Sequence, residues 1–296
     1  MASSPLNQKS NFHARSNSLP SRPHPLVTQI DEYLCRLKSN ESASSSSPPL
    51  TRNLSGLRDL YELVDDLLQL PVIQQSLAQR CNDKQVNELL NESLKLLDVC
   101  GVAKDVLLQA KEDTQQLQSI LRRRRGTEAG FTNETKEYFA SRKKAKKLIR
   151  KSLKACKCGF AQLENDGEAT FSMLREVERV TFTVFESLYS YIFGSKMESK
   201  STNWSLVSKW MSSKRVTCEG EATETNEFEK VDAVLCTVIG NKIGKSGKMS
   251  SDDAQIELQK LESSIQDLED GVECLLRLLI KTRVSVLNIL SQEAFT

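Results

Sequence analysis

The C-terminal part of the chain repeats apolar side chains every seven residues, and this repeat constrains the fold more than any other feature. Two sets of positions carry the repeat: Leu258, Ile265, Val272, Leu279 and Val286, and Leu261, Leu268, Leu275, Thr282 and Ile289. This is the a/d pattern of helices that pack along a shared seam. It predicts one long helix over residues 251–291.

A second group of apolar residues widens this pattern in the last part of the helix. Its members are Leu276, Ile280, Val284, Leu287 and Leu290. A two-stranded coiled coil does not need this extra face, whereas a helix buried on two sides in a bundle does. We therefore predict that the last helix lies at the centre of a helical bundle.

Composition agrees with an all-α fold, because the 296 residues include only seven prolines and twelve glycines. We predict an elongated multi-helix bundle with a disordered N-terminal tail at 1–25, a short helix and Ser/Pro linker at 26–49, and a helical bundle domain at 50–296. Helical spacing of apolar residues predicts individual helices at 26–38, 54–70, 82–99, 102–124, 168–193 and 228–240. Pro71 and Gly101 are expected to end helices, and Thr132 to cap one.

The segment "SRKKAKKLIRKSLKACKC", residues 141–158, contains nine Lys or Arg residues and no acid. Wound at about 100° per residue, it forms an amphipathic helix with a uniformly cationic face. Arg142 and Lys146 lie at the edge of that face. Its members, hereafter the basic face, are Lys143, Lys144, Lys147, Arg150, Lys151 and Lys154.

Four interpretations of the basic face remain open. Our preferred interpretation is a solvated surface of the bundle, and the second is a surface that binds anionic lipid. The third is a helix that enters the groove of calmodulin or another acidic partner, with Phe139, Leu148 and Leu153 as anchors. The fourth is a nucleic-acid site. The last is disfavoured because no aromatic residue interrupts the lysines for stacking and the net charge is only +2. The acid-rich region 219–273 is also available to pair with it.

The residue inventory predicts no enzyme and no cofactor. Both histidines, His13 and His24, lie in the predicted tail, which excludes a histidine-based triad in the folded body. Cys156 and Cys158 lack the spacing and the second ligand pair of a zinc site. The stretch "GNKIGKSGK" (240–248) misses the phosphate-binding loop by one residue, because Ile239 stands where the first glycine is required. We also expect no small-molecule substrate.

Eight scattered cysteines, no apolar secretory core and no run of about 20 apolar residues predict an intracellular protein without a transmembrane helix. The cytoplasm is the first expectation, and the nucleus or a membrane surface are alternatives. "RRRRG" at 122–126 is better explained by cations and glycine at the end of a helix than by a nuclear-import signal.

The tail contains Arg15-Ser16-Asn17-Ser18-Leu19-Pro20, which matches the R-S-x-S-x-P pattern bound by 14-3-3 adaptor proteins. Arg15 stands where basophilic kinases need a cation. A phosphate on Ser18 adds nearly two negative charges for an arginine cluster on the adaptor, and Pro20 turns the chain out of the groove. We therefore predict a 14-3-3 protein as a partner.

Four blocks resemble one plant family: "HARSNSLPSRPHPLVTQIDEYLCRL", "LYELVDDLLQLP", "LLDVCGVAKDVLLQAKEDTQQLQSILRRRRG" and "LLIKTRVSVLNIL". They occur in the same order as in the BYPASS-related proteins, and the similarity extends from about residue 11 to 291. The resemblance implies a helical protein with a role in root and shoot development, through restraint of a mobile root-to-shoot signal. It implies no catalytic residues.

The adaptor motif gives the first testable prediction. A peptide of residues 11–25 phosphorylated on Ser18 should bind a 14-3-3 protein with micromolar affinity or better, about −8 kcal/mol. The unphosphorylated peptide and the full-length Ser18→Ala protein should not bind. Fluorescence polarisation measures all three, and equal affinity of the two peptide forms would remove the motif from consideration.

Overall fold

The computed structural model describes residues 24–40, 49–79, 84–123, 128–160, 169–193, 225–240 and 251–292. Within these ranges all regular structure is helical, which confirms the predicted all-α class. The helices are α1 (Pro25–Asn40), α2 (Pro49–Leu68), α3 (Pro71–Ala78), α4 (Lys84–Arg123), α5 (Glu128–Phe160), α6 (Ala169–Phe193), α7 (Glu227–Gly240) and α8 (Ser251–Gln292). Nearly all of the predicted tail and the serine-rich linker lie outside the described residues.

Helix α8 has the central position that its heptad pattern predicts. It packs against α2, α3, α4 and α7. Nine of the ten heptad positions are buried, and Thr282 is half-buried. Burial of an aliphatic side chain contributes about 1.5–3 kcal/mol, so this seam supplies a large part of the driving force for folding.

The second apolar face of α8 does not have the burial that the sequence suggested. Ile280, Val284 and Leu287 are 48%, 47% and 41% exposed, while Leu276 and Leu290 are half-buried. The neighbouring helices already pack against the two heptad sets, and no described helix covers this outer stripe. Apolar spacing marked it correctly as a face, but it could not distinguish a buried face from an exposed one.

A glycine lets α2 and α8 approach closely. A Cβ atom placed on Gly271 would lie 3.1 Å from Cδ1 of Leu54, closer than most side-chain contacts. The two helices run in the same direction, since Lys281 further along α8 pairs with Asp65 of α2 at 2.8 Å. Their close contact therefore extends over most of the length of α2.

Helix α4 continues through Gly101, where the sequence predicted a break between two helices. The buried residues Leu96, Cys100, Ala103 and Leu107 form one stripe across the glycine. Packing of this stripe outweighs the cost of about 1 kcal/mol for glycine inside a helix. The resulting helix of 40 residues runs antiparallel to α8.

Two other helix boundaries differ from the prediction. Helix α2 ends at Leu68, before Pro71, and Pro71 is itself the first residue of α3. Proline suits that position because its fixed φ angle matches a helix and no hydrogen bond is lost there. Helix α5 begins at Glu128, so Thr132 lies inside the helix and is not its cap.

Helices α1 and α6 complete the core. Ile30, Leu34 and Leu37 of α1 are buried in the same cluster as α2 and α8. The aromatic residues of α6 point inward, and Tyr189 donates a hydrogen bond of 2.7 Å to the carbonyl oxygen of Val99 in α4. The fold thus brings together α4 and α6, both of which contact α5.

The central position of α8 predicts the effect of a charge on its seam. Leu268 is buried, so Leu268→Asp places a carboxylate in the core without a partner and costs several kcal/mol. That loss rivals the whole stability of a typical domain. The variant should be insoluble or lack a cooperative thermal transition in circular dichroism, and a soluble variant with an unchanged transition would contradict the arrangement.

Candidate functional site

Helix α5 is held in the bundle by one side only. It packs against α4, α6 and α7, and the side chains on this inner side are Phe131, Thr135, Tyr138, Ile149, Leu153 and Cys156, all buried. They recur at three- and four-residue intervals, which is the spacing of one face of a helix. The opposite side of α5 is therefore presented outward.

All six residues of the basic face lie on that outward side and are exposed. The structure thus places them together along about three turns of α5, as the helical spacing predicted. Whether the basic face binds a partner stays a prediction.

Several acidic residues of α8 pair with α4 and not with the basic face. Along α8, Lys111 Nζ of α4 lies 2.8 Å from Oε2 of Glu269, and Gln118 of α4 donates a 2.9 Å hydrogen bond to Glu262. Lys104 of α4 similarly approaches Glu273. Helix α8 therefore directs these carboxylates toward α4, on a different side of the bundle from the basic face.

Four lysines of the basic face form no ion pair with any described residue: Lys144, Lys147, Lys151 and Lys154. Two ion pairs between described residues lie near the ends of the segment. Arg142 pairs with Asp232 at 3.0 Å, and Lys157 pairs with Glu186 at 2.9 Å. These four lysines form a row of cations whose attraction for an anion is not satisfied by an ion pair within the described structure.

Arg142 and Lys146, at the edge of the basic face, have a structural role instead. Arg142 is largely buried, donates a 2.7 Å hydrogen bond to the carbonyl oxygen of Ile192, and lies 5.1 Å from the ring centre of Phe228. Lys146 approaches the carbonyl oxygen of Phe193 at 3.4 Å. Cations are favourable at these positions because the last carbonyl groups of α6 have no partner within their own helix.

Burial changes the pKa values of the side chains that anchor α5 to α6 and α7. Desolvation lowers the pKa of Lys146, and the nearby positive charges of Arg150 and Arg142 lower it further. Burial also raises the pKa of Asp232, although its ion pair with Arg142 opposes that change. Tyr138 donates a 3.0 Å hydrogen bond to the same carboxylate. The anchor is therefore a partly desolvated network that joins α5, α6 and α7.

Leu148 is the exception to the predicted division of α5 into two faces. The sequence grouped it with the apolar half, yet it is 46% exposed and is flanked by Lys144, Lys147 and Lys151 on the helix surface. It is the one strongly exposed large apolar side chain among the described side chains of α5. Any partner of the basic face therefore meets one leucine within a field of cations.

The burial of α5 bears on how a partner could bind. Of the three anchors expected for a helix-in-groove complex, Leu153 is buried, Phe139 is half-buried and only Leu148 is accessible. Such a complex, or insertion of the whole apolar face into a bilayer, would require α5 to leave the bundle. Binding with α5 in place is possible only through the cations and Leu148.

Other predicted site residues have simpler positions. His24 accepts a hydrogen bond from the backbone of Leu26 at the start of α1. Burial raises the pKa of the Cys156 thiol to about 12, which keeps it protonated and unreactive. His13, the Cys158 side chain, Arg15, Ser18 and Pro20 lie outside the described residues. Within the described ranges, no three His, Cys, Asp or Glu side chains are grouped as metal ligands would be.

Sequence reasoning missed a buried polar cluster between α4 and α6. Glu92, Arg175 and Glu178 are 3%, 8% and 7% exposed. Each glutamate stands within an apolar stripe of its helix, Glu92 between Leu89 and Leu96, and Glu178 between Leu174 and Thr181. The signal in the sequence that could have revealed this cluster is a glutamate at a position that the helical spacing assigns to the core.

Comparison with known protein families shows which family the chain belongs to. A family model described as Protein BPS1 matches residues 53–289, from α2 to near the end of α8. The chain belongs to the BPS1 family. Membership confirms the resemblance to the plant BYPASS-related proteins. No curated protein and no solved structure matches the chain. Among the described helices, none has the length and apolar character needed to cross a membrane.

Proposed function

We propose that this member of the BPS1 family is a non-enzymatic regulatory or scaffolding protein of plant root and shoot development. It acts by holding macromolecular partners, one of them on the basic face of α5. Family membership supports the developmental role. The observation that carries the binding mode is the row of four unpaired, exposed lysines on a helix whose other side is anchored in the bundle.

The chemistry of the surface specifies the partner. Four lysines across about three turns suit an acidic protein surface, because attraction between opposite charges aligns two surfaces and raises the association rate. Leu148 provides the apolar contact that charge alone lacks. Calmodulin in its groove-binding mode is disfavoured, because Leu153 is not available while α5 is docked.

Phosphorylation of Ser18 is the proposed means of regulation. The Arg15–Pro20 motif belongs to a stretch that precedes α1, so a 14-3-3 protein bound there would approach the bundle from the α1 end. Adaptor binding and binding at the basic face use different residues and can be disrupted separately.

A peripheral membrane protein is the second candidate, and the same row of lysines favours it. Each cation near an anionic bilayer contributes about 1 kcal/mol. Because the apolar side of α5 is buried, the contact would be electrostatic adsorption with Leu148 at the surface. A single contact of this kind anchors a protein weakly, so the protein partner is the preferred reading.

A charge-matched pair of variants tests the proposal. The test variant changes Lys144, Lys147, Lys151 and Lys154 to Gln, and the control variant changes Arg58, Lys84, Lys260 and Arg277, which are exposed elsewhere, to Gln. Both lower the formal net charge from +2 to −2. Exposed charges contribute less than about 1 kcal/mol each, so both should melt close to the wild-type temperature.

Affinity capture from plant tissue should retain acidic proteins with the wild type and the control, and lose them with the test variant. Identical sets of captured proteins for all three chains would contradict the proposal. Flotation with vesicles containing anionic lipid separates the second candidate. Tight, salt-sensitive flotation that the test variant loses by about a thousandfold, equal to about 4 kcal/mol, would make the membrane reading the leading one.

A further inference from the structure

The polar cluster between α4 and α6 is not used by the proposed binding surface, and its composition is unusual for a bundle core. It joins three carboxyl groups, Glu88, Glu92 and Glu178, with two guanidinium groups, Arg175 and Arg283. Arg175 binds Glu88 at 3.1 Å. Arg283 donates to Ser93 at 2.6 Å and to the carbonyl oxygen of Leu90. Neither arginine therefore donates a hydrogen bond to Glu92 or Glu178.

Both inner carboxyl groups are incompletely satisfied. Oε2 of Glu92 and Oε2 of Glu178 are buried and have no hydrogen-bond partner among the described residues. A buried, unpaired carboxylate costs several kcal/mol, and a protein avoids that cost by keeping the group protonated. Two such carboxylates on facing helices add mutual repulsion.

Glu178 lies where four helices meet. It borders a cavity of about 30 Å³ that is also lined by Tyr61 of α2, Ser93 of α4 and Arg283 of α8, with mostly aliphatic walls. The pocket is partly open, and its mostly aliphatic walls solvate a neutral carboxyl group better than an ionised one.

We propose that Glu178 is a proton-binding site: it is neutral in the folded protein near pH 7, and loss of its proton weakens the packing of α6 against α4 and α2. The site makes the stability of the bundle sensitive to alkaline pH.

The charged and titratable groups around the site support this assignment. They are Glu88, Glu92 and Lys95 of α4, Arg175 and Arg179 of α6, Arg283 of α8, Tyr61 of α2 and Cys156 of α5. Burial raises the pKa of Glu178 well above its usual range, and the negative charge of Glu92 raises it further, while Arg175 and Arg283 oppose the change. Burial also raises the pKa of Glu92, against the opposing charge of Arg175.

The direction of the pH effect follows from proton binding. Above about pH 5 a glutamate in the unfolded chain is ionised, whereas folded Glu178 keeps its proton. The folded state then binds more protons, so its stability falls as the pH rises through the folded-state pKa. Below the unfolded pKa the contribution is fully present.

The test compares the wild type with Glu178→Gln, which preserves the shape of a neutral carboxyl group and cannot ionise. Urea unfolding is measured from pH 5.5 to 8.5. The unfolding equilibrium constant of the wild type, divided by that of the variant, should rise by up to tenfold per pH unit. The contribution of Asp232, whose pKa shift does not involve Glu178, largely cancels in this ratio. Glu186→Gln, at a half-buried position of the same helix that pairs with Lys157, is the matched control and should lack this steep rise.

A ratio that stays constant for Glu178→Gln would overturn the proposal. Infrared spectroscopy of the wild type labelled with ¹³C-glutamate provides a second measurement, and it does not require the variant to fold. The carbonyl stretch of a protonated glutamate should be present at pH 6.5 and disappear as the pH rises before the protein unfolds. Its absence at pH 6.5 would equally overturn the proposal.

Discussion

The burial of the α8 seam against α2 and α4 is the interaction on which the rest of the structure depends. The seam extends along most of this helix, and helices from both halves of the sequence pack on it. Because α2 runs parallel and α4 antiparallel to α8, the long helix fixes the register of both. Gly271 permits the close approach to α2, and Lys111 ties α4 to Glu269. Helices α5 and α6 are then positioned by α4.

The same arrangement leaves four lysines of the basic face without an ion pair to any described residue. Helix α8 carries many of the acids of the C-terminal half, but the long contact with α4 uses Glu262, Glu269 and Glu273. Asp232 of α7 pairs with Arg142 at the edge of the basic face, and Glu186 of α6 pairs with Lys157 near the end of α5. A chain with a net charge of +2 therefore presents a strongly cationic surface because its opposite charges lie on different sides of the bundle.

The sequence predicted features that depend on local periodicity. The α8 heptads and the two-sided character of α5 follow from spacing alone, and both are present. Features that depend on which helix meets which could not be predicted. The outer stripe at Ile280 has the same spacing as a buried face. Gly101 is tolerated because the buried residues on both sides of it in α4 pack against neighbouring helices. Leu148 is exposed because α4 and α6 approach α5 from other directions. Glu178 could have been noticed as an acid at a core position, but its lack of a partner is a property of the assembled bundle.

Amide hydrogen exchange of the protein alone tests most directly whether α5 is anchored in the bundle and offers only its cations. Amides within residues 145–156 should exchange nearly as slowly as those at 258–279 of α8, because both segments open only when the core does. Rapid exchange of 145–156 while α4 and α8 remain protected would contradict the account. In that case the apolar side of α5 would be free, and groove binding or membrane insertion would replace surface docking.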